Sequence, residues 1–206
     1  MLKRLTLAVA LTAAPIATAA HEMTCVPTRA DTQRLARLDL AWKDARADAI
    51  AAGHGDDLRR LGPVTDPRVA LDRPQPTPGR YQCRTIKLGA AQAGLLPYVA
   101  YGWFRCQVSL TPGGDLILRK TTGSQRPVGL ICPDGRRAAR FVGVLALGDE
   151  VGTPRYGADP DRDMIGEVRR VGDERWRIAF PWPAFESKLD ILEMRRIREP
   201  RNRPPG

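Results

Sequence analysis

The feature that most constrains this chain is a regular alternation of short apolar segments and turn signals that begins at Arg80. Each segment is rich in Val, Ile, Leu or aromatic residues, and Gly, Pro and Asp separate the segments, as at 112–115, 133–135, 148–149 and 172–173. This spacing is typical of an antiparallel meander. It predicts eight strands, at 80–88, 98–110, 116–122, 127–132, 138–147, 164–171, 175–182 and 188–194.

Eight antiparallel strands are enough to close a barrel, and closure removes exposed strand edges. We therefore predict a mainly β domain with an N-terminal helix (α+β), in which residues 80–194 form an antiparallel, barrel-like sheet of about eight strands, calycin-like in type. The interior of such a barrel is either filled by side chains or holds one small ligand. A flat or half-open sheet covered by the N-terminal helix is the structural alternative.

Residues 20–79 are predicted to form a helical segment and a connector. Thr28 and Asp31 resemble a capping box, with Asp in place of the usual Glu. The apolar residues that follow recur at three- and four-residue steps up to Gly53, as an amphipathic helix requires: Leu35, Leu38, Trp42, Ala45 and Ala49. Three prolines between residues 72 and 79 predict an extended connector.

The first residues have the pattern of a secretory signal peptide, which we assign to residues 1–19. Lys3 and Arg4 precede an apolar run, and Ala17-Thr18-Ala19 is a small-x-small cleavage pattern. The apolar run is shorter than the roughly 20 residues that a transmembrane helix needs, so no membrane span is predicted. A periplasmic or secreted location follows from this interpretation.

The chain has four cysteines, and an oxidising compartment makes them candidates for two disulfides. Three pairings of Cys25, Cys83, Cys106 and Cys132 are possible. We favour Cys83 with Cys106, because both lie in predicted strands joined by one loop, and this leaves Cys25 for Cys132. No CxxC spacing points to a zinc or redox site.

Side chains alternate between the two faces of a strand, so the apolar face around Cys106 is predicted to point into the barrel. If Cys83 pairs with Cys106, Lys87 points inward as well, and Lys120 follows the same alternation in its own strand. The sequence thus predicts two lysines on an interior face that is otherwise apolar.

Two later strands are assigned in the same way. Trp176 and Phe180 are predicted to point inward from the seventh strand, and Leu189, Ile191 and Glu193 from the eighth. On this assignment, Glu193 is available to neutralise a lysine.

These faces lead to a functional hypothesis of non-enzymatic binding, with a small anionic or amphipathic ligand held by the barrel. Two lysines would supply charge, two rim residues hydrogen bonds and two aromatic residues apolar contact: Lys87, Lys120, Gln125, Arg126, Trp176 and Phe180. One alternative is an envelope protein-interaction or inhibitor module, and another is an envelope hydrolase. No cofactor is predicted, and the oligomeric state stays open.

The residues that carry common catalytic or metal chemistry do not form a convincing pattern, so we assign no catalytic residue and no metal ligand. Ser124 has no histidine near it in sequence to activate it. The acidic run 159–163 has Met164 and Arg170 where an EF-hand loop needs Gly and Glu. Asp163 with Glu193 is the only acid pair that would merit a test as an acid–base pair.

The formal net charge is +10, and five arginines of the segment 195–206 contribute much of it. Several prolines accompany these arginines, so we predict a disordered basic tail. Nucleic-acid binding is not expected, because no aromatic platform occurs after Phe185. Attraction of the tail to anionic lipids or cell-wall polymers is an open alternative.

Tyr101 and Trp103 fall on the face opposite Cys106. An exposed aromatic pair there would suggest a partner surface. Cover by the N-terminal helix explains the pair equally well.

Several local motifs resemble an exported bacterial family, the domain of unknown function DUF4893. The resemblance covers roughly residues 35–193, and the first two motifs are the most specific. They are Pro78–Gly89, Gly123–Arg126, Tyr156-Gly157, Arg162-Asp163, Arg175-Trp176-Arg177 and Leu189–Glu193. The resemblance implies export and a single domain, and it brings no reaction, cofactor or catalytic residue with it.

Overall fold

The computed structural model describes residues 23–198. The predicted signal peptide (1–19) and the last part of the predicted tail (199–206) lie outside the described residues. Arg195 and Arg196, which we assigned to the tail, are instead the last residues of the final strand.

The segment before the sheet is helical, as predicted. It consists of α1 (Arg29–Leu35), α2 (Leu38–Ala51), α3 (Gly55–Leu61) and a 3-10 turn at Gly62–Val64. The predicted cap is present, because Thr28 Oγ1 accepts a hydrogen bond of 3.2 Å from the Asp31 N–H. The single predicted helix is divided at residues 36–37, between α1 and α2.

The remainder of the domain is one antiparallel sheet. Its strands are β1 (Gly79–Ala90), β2 (Tyr98–Ala100), β3 (Phe104–Leu110), β4 (Leu116–Lys120), β5 (Gln125–Pro133), β6 (Ala139–Leu147), β7 (Asp163–Gly172), β8 (Arg175–Pro181) and β9 (Ser187–Arg196). Each predicted strand is found within a few residues of its expected bounds.

Pairing of β1 with β9 closes the sheet into an eight-stranded barrel, so the closed alternative is confirmed over the half-open one. The predicted strand 98–110 is split into β2 and β3, which pair with different parts of β1. Residues 101–103 form an irregular connection between them.

The interior of the barrel is filled over much of its length. Side chains from all eight barrel strands form one buried cluster, which includes Tyr81, Phe141 and Trp176. Gly129 and Gly143 lie opposite each other on β5 and β6, and a Cβ at Gly129 would lie 2.5 Å from the Phe141 ring. Glycine at this position therefore leaves the space that the phenylalanine ring occupies.

The helices cover one outer side of the barrel. Trp42 of α2 is 2% exposed and belongs to the same cluster as Ile86 of β1. At Gly89 the backbone has a φ of 70°, and a Cβ there would lie only 2.7 Å from the Ala45 Cα. The close approach of α2 to β1 therefore requires glycine at this position.

The predicted inward face of the last strand is wrong. Leu189 and Ile191 pack under the helices, whereas Leu192 of the same strand belongs to the interior cluster. Glu193 consequently lies on the outer face. Both faces of β9 are buried, one by the barrel interior and one by the helices, so apolar alternation does not distinguish them.

The four cysteines form two disulfides in the pairing that the sequence analysis favoured. Cys83–Cys106 joins β1 to β3, and Cys25–Cys132 ties the start of the described chain to β5. Each disulfide is expected to contribute on the order of 2–4 kcal/mol to the free energy of unfolding.

Across residues 23–198, none of the helices combines the length and the apolar character that crossing a membrane requires.

Candidate ligand-binding site at one end of the barrel

A small pocket lies at the end of the barrel where β1 and β8 finish and β9 begins. Its cavity has a volume of about 40 Å³, which is room for a few water molecules. Apolar side chains dominate its wall: Pro127, Leu145, Met164, Phe180, Phe185 and Leu192. The filled interior limits how far any ligand can enter.

Lys87 lines this pocket and is 4% exposed. Its Nζ lies 3.0 Å from an Asp190 carboxylate oxygen and 3.1 Å from a Glu186 carboxylate oxygen. Burial alone would lower the pKa of the ammonium group, but the two carboxylates outweigh it and raise the pKa above its usual value. Lys87 is therefore a charged and already neutralised group in the pocket wall.

Lys120 is equally buried, at 4% exposed, but it does not line the pocket. Its Nζ donates a 2.7 Å hydrogen bond to the Gln125 carbonyl oxygen and lies 3.9 Å from the centroid of the Phe104 ring. No carboxylate pairs with it in the part of the chain that the structure describes. Burial, together with the positive charge of Arg126, lowers the pKa of Lys120 to about 8.

The other predicted ligand contacts divide into two groups. Gln125 and Phe180 line the pocket together with Lys87. Trp176 packs edge-on against Tyr81, with ring centroids 5.8 Å apart, four residues along β8 from Phe180. Arg126 Nε donates a 2.6 Å hydrogen bond to the Gly123 carbonyl oxygen and so stabilises the β4–β5 connection. A ligand-binding role for these residues stays a prediction.

Sequence reasoning missed several pocket residues. Asp190 lies opposite Lys87 only because β1 pairs with β9, a contact between residues 103 positions apart. Arg34 of α1 reaches the pocket and donates a 2.6 Å hydrogen bond to the Asp163 carbonyl oxygen. The one sequence feature that could have indicated these pocket residues was the acidic run 159–163, which we considered only as a possible metal-binding loop.

A buried polar network fastens the N-terminal segment beside the pocket. The Tyr156 hydroxyl donates to an Asp31 carboxylate oxygen at 2.5 Å, and the Thr28 N–H donates to the Tyr156 hydroxyl oxygen at 2.9 Å. Burial and the bond to Asp31 raise the pKa of Tyr156. The network therefore holds α1, and with it Arg34, against the β6–β7 connection.

Asp163 is a buried carboxyl group in the pocket wall, and its pKa is shifted. It is 4% exposed, accepts a 2.8 Å hydrogen bond from the Gly157 N–H, and burial raises its pKa. Glu193, the partner considered for acid–base chemistry, lies on the outer face and is held by arginines. The two carboxyl groups therefore do not face a common cleft.

The β8–β9 connection forms part of the pocket wall and is conformationally strained. Trp182 and Glu186, at its two ends, have φ values of 48° and 69°, which are uncommon for residues with a side chain. Phe185 between them lines the pocket and is 46% exposed. Strained backbone of this kind concentrates at binding and switching sites.

Between residues 23 and 198, no group of three or more His, Cys, Asp or Glu side chains is placed to hold a metal ion.

The fold and the site define a class of protein, a closed antiparallel β-barrel with a helical cover and a small, mostly apolar pocket at one end. The chain belongs to the family described as Domain of unknown function (DUF4893), which matches residues 24–194. Comparison with curated proteins and with solved structures gave no significant match.

Proposed function

We propose that the protein is a non-enzymatic binding domain whose ligand is a small amphipathic molecule. Its apolar part would enter the pocket at the end of the barrel. The observation that carries this proposal is a cavity with a mostly apolar wall into which a few polar groups converge, the usual character of small-molecule sites.

The charges in the pocket favour an amphipathic ligand over a simple anion. Lys87 already has two carboxylate partners, and Asp161 and Asp163 also line the cavity. An anion would have to approach these carboxylates and compete with them for Lys87. A neutral or cationic head group at the pocket entrance fits this arrangement better.

The strained β8–β9 connection supplies a way for the ligand to enter. Phe185 is partly exposed at the pocket wall, so a change of backbone conformation at Trp182 or Glu186 would move an apolar side chain across the entrance. Binding energy from the apolar part of the ligand would then offset the cost of ordering this loop.

The proposed setting is outside the cytoplasm, in the periplasm or secreted. Two disulfides support it, because such bonds persist in oxidising compartments and are rare in the cytosol. The signal-peptide pattern of residues 1–19 supports the same proposal.

Calorimetric titration with amphiphiles that share one alkyl chain tests the ligand class. The probes are octyl glucoside, octylamine and octanoate, each below its critical micelle concentration. We expect saturable binding of the neutral and cationic probes with one site per chain. Tighter binding of octanoate that is lost in Lys87→Met would favour the anionic alternative, and no binding of any probe would overturn the proposal.

Two matched variants locate the site. Leu145→Trp places a larger side chain in the pocket, and Leu147→Trp makes the same change two residues along β6, where the side chain is 37% exposed and lies outside the lining. We expect Leu145→Trp to weaken binding by about ten-fold or more and Leu147→Trp to leave it unchanged. Equal effects of the two changes would place the ligand elsewhere.

A further inference from the structure

A second surface of the barrel has the composition of a protein-binding site. It surrounds the irregular segment 101–103 between β2 and β3, where Tyr101 is 42% and Trp103 is 40% exposed. The N-terminal helices leave both aromatic side chains partly open, so cover by a helix does not account for them. We define the Trp103 surface as Arg84, Tyr101, Trp103, Arg105 and Arg195.

Two arginines of this surface stack on the indole ring. The guanidinium carbons of Arg84 and Arg195 lie 4.7 Å and 4.8 Å from the centroid of Trp103. This distance is within the range of cation–π contact, which holds the ring against the outer faces of β1 and β9. Trp103 is therefore an ordered aromatic group despite its exposure.

A buried carboxylate, that of Glu193, also holds Arg84 and Arg195 in place. Glu193 is fully buried, and it accepts hydrogen bonds of 2.7 Å from Arg84 Nε and 2.8 Å from Arg195 Nε. Arg175 Nε donates to the same carboxylate at 2.8 Å. Burial alone would raise the pKa of Glu193, but these guanidinium groups lower it, so the carboxylate stays ionised.

The guanidinium groups of Arg84 and Arg195 retain hydrogen-bond donors that are free to bind a ligand. Arg84 and Arg195 donate to Glu193 through Nε, and no group among the described residues accepts a hydrogen bond from their Nη atoms. The two Nη atoms of a guanidinium can bind a carboxylate side by side. Arg105 is paired with Gln82 of β1, which is paired in turn with Arg195 of β9, so it lies on the same outer face. It has no ion-pair partner within the described range, so positive charge exceeds negative charge here.

We propose that the Trp103 surface is a docking site for an acidic segment of a partner protein, which places carboxylates on Arg84 and Arg195 and an apolar side chain on Trp103. Trp, Tyr and Arg are the residue types that dominate the binding energy of protein interfaces. Because Glu193 and the indole ring already hold the two arginines in place, these side chains lose less conformational entropy when the partner binds.

The complementarity of charge decides between possible partners. Three guanidinium groups contact the single carboxylate of Glu193, from Arg84, Arg175 and Arg195, and Arg105 adds a fourth positive charge to the same outer face. A basic partner, or a second copy of this positively charged chain, would add like charge to this surface. This docking site lies on the outer face and does not depend on the end pocket.

Selection from a displayed library of random peptides tests the proposal on the whole chain. We expect the enriched peptides to contain acidic residues next to an apolar residue and to bind less tightly as ionic strength rises. Trp103→Ala should weaken their binding by about ten-fold or more, and Arg84→Gln should weaken it as well. Leu40→Ala and Arg136→Ala, which alter an exposed apolar and an exposed basic side chain elsewhere, are the controls and should have no effect.

Each other outcome contradicts the proposal. Failure to enrich any peptide, enrichment of peptides without acidic residues, or equal binding to Trp103→Ala would overturn it. Trp103-dependent binding of polygalacturonate or single-stranded DNA in preference to the peptides would assign the surface to a different class of polyanion. Trp103-dependent dimerisation in sedimentation would assign it to a second copy. None of these results depends on the end pocket, so they are separable from the alkyl-chain titration.

Discussion

Two barrel strands, β1 and β4, each carry a buried lysine, and the surroundings of the two lysines differ in how they compensate the positive charge. On the β1–β9 side, Lys87 has two carboxylates within about 3 Å. At the β4–β5 connection, Lys120 has a backbone carbonyl and the ring of Phe104. Both lysines are 4% exposed, but Lys87 is ion-paired, whereas Lys120 has no carboxylate partner among the residues that the structure describes. Burial by itself therefore does not identify a ligand-binding cation.

The largest expected effect is that of Lys87→Met on stability. The substitution leaves Asp190 buried without its ammonium partner, and removal of one partner from a buried ion pair costs about 3–5 kcal/mol. Chemical denaturation at neutral pH measures the loss. Addition of Asp190→Asn to Lys87→Met should restore part of the stability, and a single variant as stable as the parent would contradict the ion-pair account.

An intermediate effect is expected in the pH dependence of unfolding. The pKa of Lys120 is about 8 in the folded chain against 10.5 for an ordinary lysine. Between these pH values the unfolded chain retains a proton that the folded chain has lost, so the free energy of unfolding rises with pH in this window. The expected increase in the free energy of unfolding is on the order of 3 kcal/mol. Denaturation curves from pH 7 to pH 11 should contain this rise in the parent and lack it in Lys120→Met.

The smallest effect, and the one opposite in sign to the first, is expected for Lys120→Met at neutral pH. The change removes a buried charge that no carboxylate within residues 23–198 neutralises, and it loses one hydrogen bond to the Gln125 carbonyl oxygen. These two contributions nearly cancel, and we expect a net increase of about 1 kcal/mol in the free energy of unfolding. The denaturation midpoint measures it. A loss as large as that of Lys87→Met would erase the distinction between the two lysines.

Sequence reasoning was sufficient to locate the barrel strands, because turn residues flank each of them. The split between β2 and β3 was not visible, since Tyr101 and Trp103 have the composition of strand residues. For the site, alternation along β1 and β4 placed Lys87 and Lys120 inside correctly. It did not reveal Asp190 or Glu186, because the β1–β9 pairing that brings them to Lys87 joins the two ends of the sheet.

The sequence alone determined the order of the strands along the chain, the N-terminal helical cover and the alternation of apolar and polar residues along each strand. Turns, caps and periodicity are local properties of the chain, so no contact between distant segments is needed to recognise them. Only the tertiary structure decided which carboxylate neutralises Lys87, that Glu193 faces outward beneath Arg84, and that a small pocket remains open at one end. These features depend on contacts between distant segments. Strands that are buried on both faces carry no sequence signal for the direction in which a given side chain points.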